Sequence, residues 1–268
     1  MIEPRARKRA GAAATGLPAA RGRPAATDRH GARLLPAAAA GLVAAHYVPS
    51  TAVLGQWGPL RALPGDLCRW RGPRGSASVA LTFDDGPDPE GTPQVLDALD
   101  GLGLRGTFFV LGERVRAHGD LVQEIARRGH QLATHGDAHA HHLARSPWWV
   151  RRDLLSACSA MAALGQPPRW YRPAYGQATG STLALARAMG LEMVLWSAWG
   201  REWAARDPGE VAARIARRLR PGAIVLLHDS DGYGPRGMWR HALGALASIA
   251  AELRRRRLSA VTMDELMT

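Results

Sequence analysis

The feature that most constrains this chain is an alternation that begins at Ser76 and continues to the C-terminus. Short β-like runs, SVALTF (residues 78–83), GTFFVL (106–111), QLAT (131–134), RWY (169–171), EMVLW (192–196), AIVLL (223–227) and SAVT (259–262), are separated by stretches of helical period. Examples are TPQVLDALDGLG, GDLVQEIARRGH, WWVRRDLLSACSAMAALG and PGEVAARIARRL. Short continuous apolar runs suit strands buried on both faces, and amphipathic connections suit crossover helices. The pattern predicts an α/β fold: a distorted or incomplete (β/α) barrel of about seven parallel strands with outer helices.

The N-terminal quarter reads differently. Residues 1–33 hold eight Lys/Arg against two carboxylates, half of the chain's net charge of +12, with no apolar periodicity, and are expected to form a basic disordered arm. Residues 34–60 contain no Asp, Glu, Lys or Arg. Three readings fit them: a membrane anchor with the arm on the cytoplasmic side, a cleaved export signal, or an Ala-rich segment packed on the domain. Residues 61–75 read as a linker and 76–268 as the main folded domain. Because the charge concentrates in the arm and is almost all arginine, with Lys8 the sole lysine, no nucleic-acid partner is expected. Cys68 and Cys158 fit no metal-ligand spacing; they either pair or remain buried thiols.

The reactive side chains phase with the strands. Asp84 and Asp85 follow the first run, His135 the third and Arg172 the fourth, Glu202 lies beyond the fifth, and His228 ends the sixth. In a parallel barrel those ends share the face on which active sites are built. Neighbouring strand residues point to opposite sides, so the Asp84–Asp85 pair can address two partners. His135 and His139 are spaced i and i+4, which on a helical turn would bring two imidazoles to one metal. With Asp85 they make a two-His, one-Asp set that leaves positions open for water and substrate. His141 and His142 are expected to be solvent-facing. Taken singly, each feature has a structural reading: turn aspartates, a buried ion-paired Arg172, a satisfied His228.

The motifs TFDDGP (82–87), HGDAH (135–139), RPAYG (172–176), WSAWGREW (196–203) and LLH (226–228), with GTFFVLG (106–112), resemble in kind and order those of the polysaccharide deacetylase family. This is carbohydrate esterase family 4, the NodB homology domain. The resemblance implies a metal-dependent hydrolase that removes N-acetyl groups from an N-acetylated glycan: peptidoglycan, a chitin-like chain or an exopolysaccharide. It implies one divalent ion on Asp85, His135 and His139, zinc before cobalt, nickel or manganese. By the same resemblance Asp84 is the general base, Arg172 orients and stabilises it, the Tyr175 backbone N–H faces the oxyanion, and His228 protonates the leaving amine. Leu226 is expected to line the acetyl pocket, with Trp203 and Pro173 as further substrate contacts.

Three positions depart from the family pattern. Trp199 stands at the first Asp of Asp-x-x-Asp-Trp and Glu202 at the second, and Gly136 replaces a Ser or Thr. Glu202 keeps a carboxylate that can partner His228. The expected protein is a monomer, anchored or exported, with its catalytic domain outside the cytoplasm. Rival readings are an amidase of the same fold acting on a cyclic imide or ureide, and a silent membrane-tethered glycan-binding domain. Retention of Asp84 counts against the silent domain.

Overall fold

The structure, a computed structural model, describes residues 40–43, 68–73 and 75–268. The expected arm over 1–33 lies outside the described residues, as does nearly all of the apolar stretch 34–60, of which residues 40–43 are helical. Among the described residues no helix is long and apolar enough to cross a membrane.

The strands are β1 (Ser78–Asp84), β2 (Thr107–Val110), β3 (Gln131–Thr134), β4 (Trp170–Tyr171), β5 (Glu192–Met193), β6 (Ala198–Trp199), β7 (Ile224–His228) and β8 (Ser259–Val261). They form one parallel sheet in the order β5-β4-β3-β2-β1-β7-β6, with β8 pairing the first half of β1. Among the described residues no ladder joins β5 to β6, so the barrel is incomplete. The helices are α1 (Gly91–Leu102), α2 (Gly112–Ala117), α3 (Gly119–Arg127), α4 (Pro147–Ala163), α5 (Gly180–Ala188), α6 (Pro208–Arg218), α7 (Met238–Arg256) and α8 (Met263–Met267).

All seven apolar runs contain a strand. The sequence pattern misses β6, because a two-residue strand shows no periodicity. Part of the stretch expected as a linker is tied to the sheet: Arg69 bridges Val194, Arg71 bridges Ala223, and the Gly72 N–H donates to the Gly222 carbonyl at 2.8 Å. These partners are more than a hundred residues away, so local sequence carries no sign of them.

Strand parity builds the site. On β1, Val79, Leu81 and Phe83 enter the core shared with the helices, whereas Ala80 joins a second, inner core. On β7, Val225 and Leu227 face the helices while Ile224 and Leu226 face inward. The ladder pairs Ala80 with Ile224, Thr82 with Leu226 and Asp84 with His228. Period-2 alternation therefore carries one inward face from an apolar floor up to a carboxylate beside an imidazole. The floor is closed by Phe109, Trp170, Trp196, Met263 and Leu266. Burying each such side chain contributes about 1.5–3 kcal/mol.

The helices follow local rules. α7 buries Met238, Trp239, Ala242, Ala245, Leu246, Ile249, Ala250 and Leu253, a stripe of helical spacing. Ser146 accepts the Trp149 N–H at the start of α4, with Pro147 in the first turn, and Asp207 with Pro208 opens α6 in the same way. Cys68 and Cys158 are free thiols, and burial pushes the Cys68 thiol up to about 12.

Candidate active site

β1 ends at Asp84, which is 3% exposed, and the chain then turns through Asp85 at φ 77. Left-handed backbone is one of the few irregular states Asp tolerates. Its effect is that both carboxylates line one cleft instead of opposite faces of the sheet, yet each keeps its own partners. Arg172, fully buried at the end of β4, donates from one guanidinium nitrogen to Asp84 Oδ1 at 2.6 Å and to Thr82 Oγ1 at 2.8 Å. Its other terminal nitrogen donates to the Leu195 carbonyl at 3.1 Å, and its face lies 4.0 Å from the Phe109 ring centroid.

Asp85 turns to the histidines. Its Oδ1 lies 3.5 Å from His135 Nε2 and 3.3 Å from His139 Nε2, and the three donor atoms lie within 4.8 Å of one another. Asp85 Oδ1 is buried and accepts no hydrogen bond among the described residues. A convergent carboxylate and two imidazoles with an orphaned oxygen between them suit a divalent cation with open positions. His135 Nδ1–H donates to the Arg172 carbonyl at 2.8 Å, which turns the Nε2 lone pair toward Asp85. Burial, with His135 next to it, lowers His139 to about 4, so its imidazole is neutral and able to ligate at neutral pH. Burial pushes the Asp85 carboxyl up, but contact with His135 and the nearby His228 and His139 outweigh it, and the net is a fall to about 2.

The i, i+4 histidines do not sit on a helical turn. Residues 135–141 form an irregular bend with Gly136 at φ +93, and this bend, not a helix, sets the spacing. His142 is not solvent-facing either. It is 2% exposed, with Nδ1 3.2 Å from Thr182 Oγ1, because it packs under α5. His141 is exposed and stacks on Tyr175 at 3.7 Å. Neither joins the Asp85–His135–His139 group.

Across the cleft, His228 Nδ1–H points to Glu202 Oε1 at 3.4 Å. Glu202 is 1% exposed, and its Oε2 has no hydrogen-bond partner among the described residues. Burial alone would lower His228, but Glu202, with Asp85 and Asp84 behind it, raises it to about 9. Glu202 thus reaches the imidazole from the turn after β6, where the backbone passes through Arg201 at φ 56.

The cleft measures 420 Å³. Asp84, Asp85, His135, His139 and His228 line it, together with Tyr175, Gly176, Leu226, Trp196, Trp199, Trp203, Tyr233, Gly234, Pro235 and Met238. Arg172 and Glu202 stand behind the wall, each holding a residue that lines it. Pro173 is buried and is not part of the wall, which this segment reaches only at Tyr175 and Gly176. Tyr233 is absent from the sequence-based set. It stacks on His139 at 4.2 Å from the glycine-rich loop after β7. Asp153 is absent too, although an acid on the apolar stripe Val150, Leu154, Ala157, Met161 of α4 is a readable anomaly.

Residues 71–194 match the family model described as polysaccharide deacetylase. The chain is 32% identical over 207 residues to a peptidoglycan-N-acetylglucosamine deacetylase of Bacillus cereus, covering 76% of this chain and 94% of that one. It is 40% identical over 163 residues to a chitooligosaccharide deacetylase of Bradyrhizobium sp., covering 60% and 74%. Among solved structures it is similar to the Bc1960 peptidoglycan N-acetylglucosamine deacetylase, with a TM-score of 0.73 and 28% identity over 79% of this chain and 97% of that one.

Proposed function

Because this chain belongs to the polysaccharide deacetylase family, hydrolases of carbon–nitrogen bonds other than peptide bonds, we propose that it removes N-acetyl groups from a glycan with the help of a divalent metal. The substrate is an N-acetylated polymer or oligomer of the peptidoglycan, chitin-like or exopolysaccharide kind, in keeping with the printed names of its relatives. One observation carries the reading. A carboxylate and an imidazole occupy ladder-paired ends of β1 and β7, and three metal-type donors stand beside them in the same cleft.

Asp85, His135 and His139 would hold the ion, zinc by preference for two imidazoles and a carboxylate. When bound, such an ion supplies Lewis acidity toward the amide carbonyl and toward the attacking water. Asp84 takes the proton of that water, from a position fixed by Arg172 and Thr82. The Tyr175 N–H, in a backbone conformation set by φ 58, faces the developing oxyanion. His228, held protonated by Glu202, gives its proton to the departing nitrogen as the carbon–nitrogen bond breaks. The products are acetate and a free amine. Leu226 forms the apolar end of the cleft, and Trp203 offers an exposed ring face for a sugar. Such a substrate places the catalytic domain outside the cytoplasm.

The test is acetate release from N-acetylglucosamine oligomers by the full chain, stripped of metal and then reloaded with zinc. We expect release only with metal, loss of turnover with retained zinc in Asp84→Asn, and loss of zinc in His135→Ala and His139→Ala. Equal zinc loss in all three would overturn the division between Asp84 and Asp85. Hydrolysis of cyclic imides or ureides in place of the oligomers would overturn the substrate assignment.

A further inference from the structure

His139 has little to hold it. Its Nδ1 has no hydrogen-bond partner among the described residues, and its ring rests between Tyr175 and Tyr233, with centroids at 4.4 and 4.2 Å, and beside His135 at 5.4 Å. His135, in contrast, is pinned twice, by Nδ1 to the Arg172 carbonyl and by its own N–H to the Val110 carbonyl at 2.8 Å. The distance between the two imidazoles is therefore set by the backbone of residues 136–138. The carbonyls of that backbone are bound at the start of α2: Gly112 N–H donates to Gly136 at 2.9 Å and Glu113 N–H to Asp137 at 3.1 Å. The Gly136 N–H donates to Thr134 Oγ1 at 3.2 Å, and the next two N–H groups turn toward α4. The Asp137 N–H donates to Asp153 Oδ2 and the Ala138 N–H to Asp153 Oδ1, both at 3.0 Å.

Asp153 is 5% exposed on the inward stripe of α4, where an unpartnered carboxylate would be costly. Burial raises its pKa to about 6 against the pull of the two N–H donors. Residue 136 is matched to it. At φ +93 the bend favours glycine, and a Cβ there would stand 2.7 Å from Asp153 Oδ2. The side chain missing at Gly136 is the space the carboxylate uses.

We propose that Asp153 is the positioning residue of the metal centre: its two oxygens clamp the N–H groups of Asp137 and Ala138, and this clamp holds His139 at ligating distance from Asp85 and His135. The inference rests on reading those three residues as metal ligands. It assigns a task within that reading to a residue on a different helix, one that neither touches substrate nor binds the ion. Only a carboxylate can perform it, because both oxygens must accept. An asparagine offers one acceptor and turns an NH₂ toward the other N–H.

The test is zinc affinity, measured by competition with a chromogenic chelator, in the full-length wild type and in Asp153→Asn. Outer partners of metal ligands typically contribute about 10–100-fold in affinity, and a loss in that range is expected, with a thermal midpoint that still shows a folded protein. Gly136→Ala keeps the carboxylate but pushes on it, and is expected to lose zinc affinity as well. It serves as the second variant should Asp153→Asn fail to fold. The two substitutions act on one contact, so the double variant should lose less than the product of the two single losses. Zinc binding in folded Asp153→Asn equal to that of the wild type overturns this inference alone. A wild type that binds no zinc overturns the ligand reading and this inference together.

Discussion

Replacing Glu202 by Gln removes one charge and almost no volume, and its effect can be worked out from the site. His228 rises from 6.5 to about 9 although burial opposes the rise, and Glu202 is the strongest of the groups lifting it. At roughly 1.4 kcal/mol per pKa unit, the rise corresponds to about 3 kcal/mol favouring the imidazolium. Without the Glu202 charge, only Asp85 and Asp84 oppose burial, and the ordinary histidine value of 6.5 is taken for the variant. At about pH 7.5 the wild-type imidazole is then nearly all protonated and that of the variant about one-tenth protonated, so kcat/KM for acetate release should fall roughly tenfold. Near pH 6 the deficit should almost vanish. A cation on Asp85, His135 and His139 lowers both titrations, so the separation between the two alkaline limbs is the quantity to read. The same pair leaves a signature in stability. A histidine whose folded pKa is raised contributes fully below about 6.5 and loses that contribution as pH rises through about 9. The thermal midpoint of the wild type should therefore decline across that window relative to Glu202→Gln. Alkaline limbs that coincide, or a tenfold deficit that persists at pH 6, would refute the argument.

Two further outcomes are expected. Arg172→Met leaves Asp84 buried without its partner and should cost about 3–5 kcal/mol in urea unfolding. Arg172→Lys should not restore it, since one ammonium cannot reach Asp84, Thr82 and the Leu195 carbonyl from the two ends of a guanidinium fork. Because the proposed oxyanion donor is the Tyr175 backbone N–H, the backbone there should matter more than the ring. Gly176→Ala, at φ +64 with a Cβ 2.6 Å from Trp196, should displace the Tyr175 N–H and cost about 10²–10³ in kcat, whereas Tyr175→Ala should lose less than about tenfold. Equal losses in the two would count against a backbone donor.

The parts legible in the sequence were those written locally. Apolar runs broken by Asp84, His135, Arg172 and His228 marked strand ends, and in a parallel sheet strand ends share a face. Glu202 was readable as the carboxylate before Trp203, beyond the fifth apolar run, and it does reach His228. What could not be read depends on residues far apart in the chain. The bend at 135–139 looked helical by spacing, because the carboxylate that stabilises its irregular backbone comes from Asp153 on another element. The positive φ of Asp85 has no signature in an Asp-Asp pair. His142 became a core residue through Thr182, forty positions on, and Tyr171, twenty-nine positions on. The ties of Arg69 and Arg71 to Val194 and Ala223 are likewise invisible to any local window.

The pairing of β1 with β8 bears on the order in which the molecule can assemble. Ser78–Ala80 pair with Ser259–Val261, while Ala80–Asp84 pair with Ile224–His228. The strand that carries Asp84 is thus completed only by residues more than 140 positions later, and closure over such long separations is slow. During synthesis β1 and β2 leave the ribosome as apolar segments with an open edge, a state prone to wrong associations. The frame of the carboxylate pair is therefore completed late, once β7 and β8 are available to pair with β1.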